Sequence, residues 1–121
     1  MTLSFEDSAI LNSLSEMNPE ELDSLPFGVV QLKPEGEILS YNQYESELAG
    51  LDSQEVIGKN FFIQVAPCTN NFMIYHRYLE EEQIDAHLDY LFTYGMRPTQ
   101  VRLRMLKSPE AGCYLLVEKK A

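Results

Sequence analysis

The spacing of apolar side chains changes along this chain, and each change marks a different element. Ile10, Leu11, Leu14 and Met17 recur at helical intervals, with Asp7 or Ser8 available as an N-cap. Asn18-Pro19-Glu20-Glu21 starts a second short helix, with Asn as cap, Pro in the first helical position and acids in the first turn; Pro26 ends it. Phe27 to Leu32 then reads as a strand, Lys33-Pro34-Glu35-Gly36 as a turn and Glu37 to Tyr41 as the returning strand. From Asn42 to Cys68 the pattern is of short helical pieces broken by Gly50 and Gly58, with Asp52 and Ser53 as caps and Pro67 as a stop. A longer helix is predicted from Phe72 to about Gln83, with Phe72, Tyr75 and Leu79 along one side, although Glu80-Glu81-Glu82 opposes the dipole at its end. Three strands follow, His87 to Met96, Thr99 to Lys107 and Gly112 to Lys119. In the middle one Val101, Leu103 and Met105 alternate with Arg102 and Arg104, which predicts one buried face and one wet face. The expected architecture is α+β: a central antiparallel five-stranded sheet with short helices on one face and an N-terminal helical cap over residues 1–26. No repeat or linker interrupts the chain, so residues 1–121 are expected to form one domain.

Composition narrows the function classes. The chain carries 19 acidic and 9 basic side chains, a formal charge of −10. That balance argues against nucleic acid, whose phosphates need clustered Lys and Arg, and equally against an anionic membrane surface. Before residue 59 the only basic side chain is Lys33, whereas Arg97, Arg102, Arg104, Lys107, Lys119 and Lys120 collect near the end, as on a sheet face of mixed charge. No stretch reaches the roughly 20 apolar residues of a membrane span, and the first residues lack the pattern of a signal peptide. Cys68 and Cys113 are therefore expected as free thiols in a cytoplasmic protein. Self-repulsion favours a monomer.

Candidate chemistry is concentrated in three places. Cys68 follows Ala66-Pro67 and precedes the polar stretch Thr69-Asn70-Asn71. It reads either as a buried structural thiol or as a reactive one whose pKa is lowered by a helix starting near residues 70–72. Tyr41 and Glu45 are four residues apart where strand gives way to helix, so a phenol and a carboxyl could meet at one spot; equally, Tyr41 could end a strand and Glu45 lie on a solvated face. Phe92-Thr93-Tyr94-Gly95-Met96 could line a pocket or simply be core. Cys113 reads as core. His76 and His87 match no zinc spacing with the cysteines, a Cys68–His76 hydrolase lacks an orienting third group, and no phosphate-binding glycine loop is present.

Taken together, the strings Leu25-Pro26-Phe27-Gly28, Gly36-Glu37-Ile38-Leu39-Ser40-Tyr41-Asn42, Glu45, Gly58-Lys59-Asn60-Phe61-Phe62, Val65-Ala66-Pro67-Cys68-Thr69 and Phe92 to Thr99 resemble the photoactive yellow protein family over nearly the whole chain. The resemblance implies a PAS sensor fold and a blue-light photoreceptor rather than an enzyme. It implies p-coumaric (4-hydroxycinnamic) acid bound as a thioester on Cys68, with Tyr41 and Glu45 hydrogen-bonding its phenolate. Phe61, Ala66, Pro67, Phe92, Tyr94 and Met96 would line the pocket, and the Cys68 N–H would hold the thioester carbonyl. Light-driven trans–cis isomerisation, proton transfer from Glu45 and partial unfolding toward a signalling state are the implied sequence of events, read by an unknown downstream signalling protein. The physical chemistry agrees with these residue types. A phenolate in an apolar pocket needs strong donors, and Glu45 can be one only when protonated, which burial and a neighbouring negative oxygen both favour.

This sequence departs from the family pattern at Ala49 and Leu51, where a hydroxyl and a cation are usual. That bears on the absorption maximum and recovery rate rather than on attachment; Arg97 is a candidate replacement cation. Residues 70–88 also look a few residues short of the pattern. A PAS module for ligand sensing or protein contact, with Cys68 unmodified, is the alternative.

Overall fold

The computed structural model describes residues 3–93 and 98–120. Two short helices, α1 (Ile10–Ser15) and α2 (Pro19–Asp23), precede the first strand. In α2 the Asn18 side chain accepts from the Glu21 N–H at 2.8 Å and the Glu21 carboxylate accepts from the Asn18 N–H at 3.1 Å. This reciprocal box satisfies donors that a five-residue helix could not otherwise cover. The hairpin is β1 (Gly28–Leu32) and β2 (Ile38–Tyr41). Helices α3 (Gln43–Ala49) and α4 (Ser53–Val56), a π-helical turn (Phe61–Val65), a 3-10 turn (Pro67–Thr69) and α5 (Tyr75–Glu80) follow, and then β3 (Ile84–Phe92), β4 (Thr99–Ser108) and β5 (Gly112–Lys119).

The five strands form one sheet in the order β2-β1-β5-β4-β3, with every pairing antiparallel. The chain's first and last strands are thus central neighbours, and β3 is an edge. One face carries Val30, Leu103, Met105, Leu115 and Val117, covered by the segment between β2 and β3 through Val56, Phe61, Phe62, Ala66, Ile74 and Tyr78. The other face carries Val29, Leu106, Tyr114 and Leu116, covered by Phe5, Ile10, Leu14, Leu22 and Leu25.

The π-helical turn is placed by its cap. Asn60 Oδ1 accepts from the Phe62 and Ile63 N–H groups, and its Nδ2 donates to the Glu35 carbonyl at 2.8 Å, docking the turn on the β1–β2 connection. Gly36 makes the approach possible: its φ is +111°, and a Cβ there would lie 2.7 Å from Asn60 Oδ1. Phe61 and Phe62 are consequently driven fully into the core.

Three expectations need correction. The second face of β4 is wet only toward Arg102. Arg104 is only 3% exposed, because its guanidinium donates to the Phe5 and Asp7 carbonyls of the cap and to the Asp85 carboxylate. A charged group under a cap can be buried when it is paired and hydrogen-bonded in this way. The helix expected from Phe72 begins only at Tyr75, and its inner side is Ile74 and Tyr78; Phe72 and Leu79 are exposed. The buried Tyr78 hydroxyl donates to the Tyr114 carbonyl, so the residue with the deepest reach sets the helix rotation. Finally, β3 starts three residues earlier than expected, at Ile84.

Candidate functional site

The start of α3 is built on Asn42. Its Oδ1 accepts from the Val29 N–H at 2.9 Å and from the Glu45 N–H at 3.2 Å, while Nδ2 donates to the Leu22 and Phe27 carbonyls at 2.8 and 3.0 Å. One amide therefore caps the helix that carries Glu45 and ties that helix to both the cap and the first strand. The Tyr44 hydroxyl accepts from the Lys119 N–H, and Asp23 accepts from the Gln43 N–H, so the same turn is also held on β5 and α2.

This frame puts Glu45 where a surface helix would not. Its side chain has no exposed area, and a Cβ on Gly28 would lie only 2.3 Å from Glu45 Oε1. Gly28 stands two residues before Val30 on β1, so it faces the same side of the sheet, and its missing side chain is the space the carboxyl fills. Val30 in turn pairs with Tyr41 across the hairpin. Tyr41 is buried in the cluster that contains Phe61, Ala66 and Phe92, and Cys68 packs against that cluster from its margin. Burial of a carboxyl disfavours its charged form.

Cys68 sits in the middle of the 3-10 turn. Pro67 fixes the entry to that turn, and Thr69 closes it through its own N–H and hydroxyl, which both donate to the Ala66 carbonyl. The thiol is half-buried, whereas Cys113 is fully buried in β5. Burial also pushes the Cys113 thiol pKa up, which makes it the poorer nucleophile. The helix start expected at residues 70–72 to activate Cys68 is not there. Asn71 instead opens a turn, accepting from the Met73 and Ile74 N–H groups ahead of α5.

Tyr41, Glu45, Phe61, Ala66 and Phe92 are all buried on one face of the sheet, with Cys68 at the rim. Pro67 is exposed, and its place is the first position of the turn rather than the apolar lining. Tyr94, Met96 and Arg97 lie outside the described residues. Leu48, Ala49, Phe92 and Thr99 meet one helical turn beyond Glu45 around a gap too small to admit a water molecule. Sequence reasoning missed Asn42 as a hub, Gly28 as a cradle and Tyr90 as a partner of the Cys68 loop. Only the glycine at the strand start offered a signal, since an unneeded glycine in a buried strand marks a close approach.

The face brings together an apolar wall of aromatics, a phenolic hydroxyl and a buried carboxyl inside, and a thiol at the margin, a set able to hold a flat aromatic group with a polar end. The family model described as the PAS fold matches residues 16–116. The chain is 36% identical to the photoactive yellow protein of Rhodothalassium salexigens, covering 98% of this chain and 97% of that protein. It is 37% identical to that of Halochromatium salexigens, covering 96% and 95%. The crystal structure of the photoactive yellow protein domain from the sensor histidine kinase Ppr of Rhodospirillum centenum superposes with a TM-score of 0.80 at 34% identity, covering 91% of this chain and 99% of that one.

Proposed function

Because this chain belongs to the photoactive yellow protein family, blue-light photoreceptors that use a p-coumaric chromophore and are not enzymes, we propose that it senses light through a p-coumaroyl thioester on Cys68. The observation that carries the reading is a carboxyl, Glu45, with no exposed surface, seated over Gly28 on the face that also buries Tyr41 and receives Cys68.

Bound there, the p-coumaroyl group supplies blue absorption and a double bond that isomerises in light. The protein's part is electrostatic. Tyr41 would donate its O–H to the phenolic oxygen, and Glu45, as the neutral acid, would donate a second hydrogen bond and keep a proton in reserve. Phe61, Ala66 and Phe92 exclude water, which strengthens both bonds. With that group bound and isomerised, Glu45 would pass its proton to the displaced phenolate oxygen and be left a buried carboxylate without its dark-state partner, a state costing about 3–5 kcal/mol. That cost is of the size of a local opening. The first element to feel it is the start of α3, and through Asn42 the strain reaches the Leu22 and Phe27 carbonyls at the end of the cap. Release of residues 3–25 uncovers Val29, Leu106 and Leu116, an apolar face suited to a downstream signalling protein. The strong negative charge favours a monomer in the dark. No helix among the described residues is long and apolar enough to cross a membrane.

The test is to mix pure protein with an activated p-coumaric ester and record absorption and intact mass. One acyl group on Cys68, a yellow colour bleached by blue light and recovery in darkness are expected. Acylation at Cys113, or a colourless unmodified protein, contradicts the reading.

A further inference from the structure

The main chain at Cys68 is held from outside its own turn. The Tyr90 hydroxyl donates to the Cys68 carbonyl at 2.5 Å, and the Asn71 side-chain amide donates to the same carbonyl at 3.2 Å and to the Tyr90 oxygen at 2.7 Å. Asn71 uses its other end, Oδ1, on the Met73 and Ile74 N–H groups at 3.0 and 3.1 Å. Three segments thus close on one peptide group: the cysteine turn, the entry to α5 and the edge strand β3. None of this is needed to complete the sheet, because Tyr90 pairs with Val101 through its main chain whatever its side chain does.

Tyr90 also stands edge-on to Phe92, with ring centroids 6.1 Å apart, so the strand that grips the cysteine turn carries a wall of the candidate pocket two residues later. The opposite side of the same strand holds the cap, through Asp85 to Arg104 and His87 to Glu6. As an edge strand β3 has one strand neighbour, β4, and is freer to shift than β1 or β5.

We propose that Tyr90 and Asn71 are positioning residues: by fixing the peptide after Cys68 they set the direction and accessibility of its thiol, and they pass displacement of that turn to β3. The proposal deepens the photoreceptor reading and rests on it for the second half, but the clamp on the thiol can be tested without any pigment. Tyr90→Phe removes one oxygen and keeps the ring contact with Phe92. Asn71→Asp keeps the acceptor for Met73 and Ile74 and removes the donor.

In the unloaded full chain, alkylation by iodoacetamide, followed by peptide mass spectrometry, reads Cys68 and Cys113 separately. Each variant should alkylate Cys68 about tenfold faster, the scale of one lost hydrogen bond on a local opening, with Cys113 unchanged. In the pigment-loaded protein the band position should stay where it was, since Tyr41 and Glu45 are untouched, while dark recovery changes by about tenfold. Cys68 alkylating at the parental rate in both variants would overturn the clamp, and so would Cys113 rising in step, which signals general loosening. If the parent never accepts the acyl group, the photoreceptor reading fails while the alkylation contrast still decides the clamp.

Discussion

The two faces of the sheet are covered in different ways. Over the face with Tyr41 and Phe92, the covering segment runs from β2 to β3 and is joined to the sheet at both ends; its contacts are mostly apolar, with side-chain amides such as Asn60 and Asn71 tying turns to main chain. Over the face with Val29 and Leu116, the cap meets the sheet through one connection, at Pro26, and leans on charge. Arg104 holds the Phe5 and Asp7 carbonyls, Arg102 pairs with Glu6 and Glu118 and stacks on the Phe5 ring, and His87 lies 3.3 Å from Glu6. Both layers pack apolar side chains on the sheet, but the cap is joined to it once and fastened in part by polar contacts, so it can leave as a unit more readily than a layer joined twice. The site is on the permanent side and the movable layer on the other, with Asn42 between them.

The strongest way to separate the faces is Cys68→Ala. It should abolish acyl uptake by intact mass while leaving the unfolding temperature within about 2 °C, because a half-buried small side chain contributes little to either layer. Next is Arg104→Leu, which strands the buried Phe5 carbonyl at about 1–3 kcal/mol and leaves the Asp7 carbonyl only its bond from the Ile10 N–H. Hydrogen exchange should show residues 5–16 losing about a hundredfold in protection, with β1 and β5 retaining theirs; uniform loss would mean the layers are not separable. Gly28→Ala acts on the other face. Its Cβ would displace Glu45, costing about 1–3 kcal/mol in a denaturant titration and moving the pigment band.

The smallest effect expected is pH dependence at Asp85. Hydrogen bonding to Arg104, and then its charge, holds the Asp85 carboxyl below its ordinary value of 3.8. A depressed folded-state pKa gives stability that is complete above about pH 4–5 and drains away as pH falls through the folded value. Acid should therefore loosen the cap first, and Asp85→Asn should flatten that part of the profile, as followed by exchange of residues 5–16 between pH 5 and 2.5. An unchanged profile would remove Asp85 from the fastening.

Much of this arrangement was legible in the sequence, for identifiable reasons. The hairpin and the Asn18 cap followed by Pro19 follow from local chemistry, and both appear in the fold. Local patterns misjudged what depends on distant partners. Arg104 looked solvated because the cap carbonyls it meets are almost a hundred residues away. Helix α5 was given the wrong inner side because Tyr78 is fixed by Tyr114, 36 residues on. Glu45 is the instructive case: spacing alone allowed a solvated face, the family resemblance singled the residue out, and only the fold supplies the physical reason, a glycine opposite its carboxyl and an asparagine beneath its helix.

Glu45→Gln keeps a hydrogen-bond donor in the pocket and removes the transferable proton. Hydrogen exchange on the pigment-loaded protein, in darkness and under steady blue light, should show protection of residues 5–25 falling in the parent and holding in the variant. A variant whose cap opens in light as fully as the parent's would contradict a buried carboxylate as the driving event.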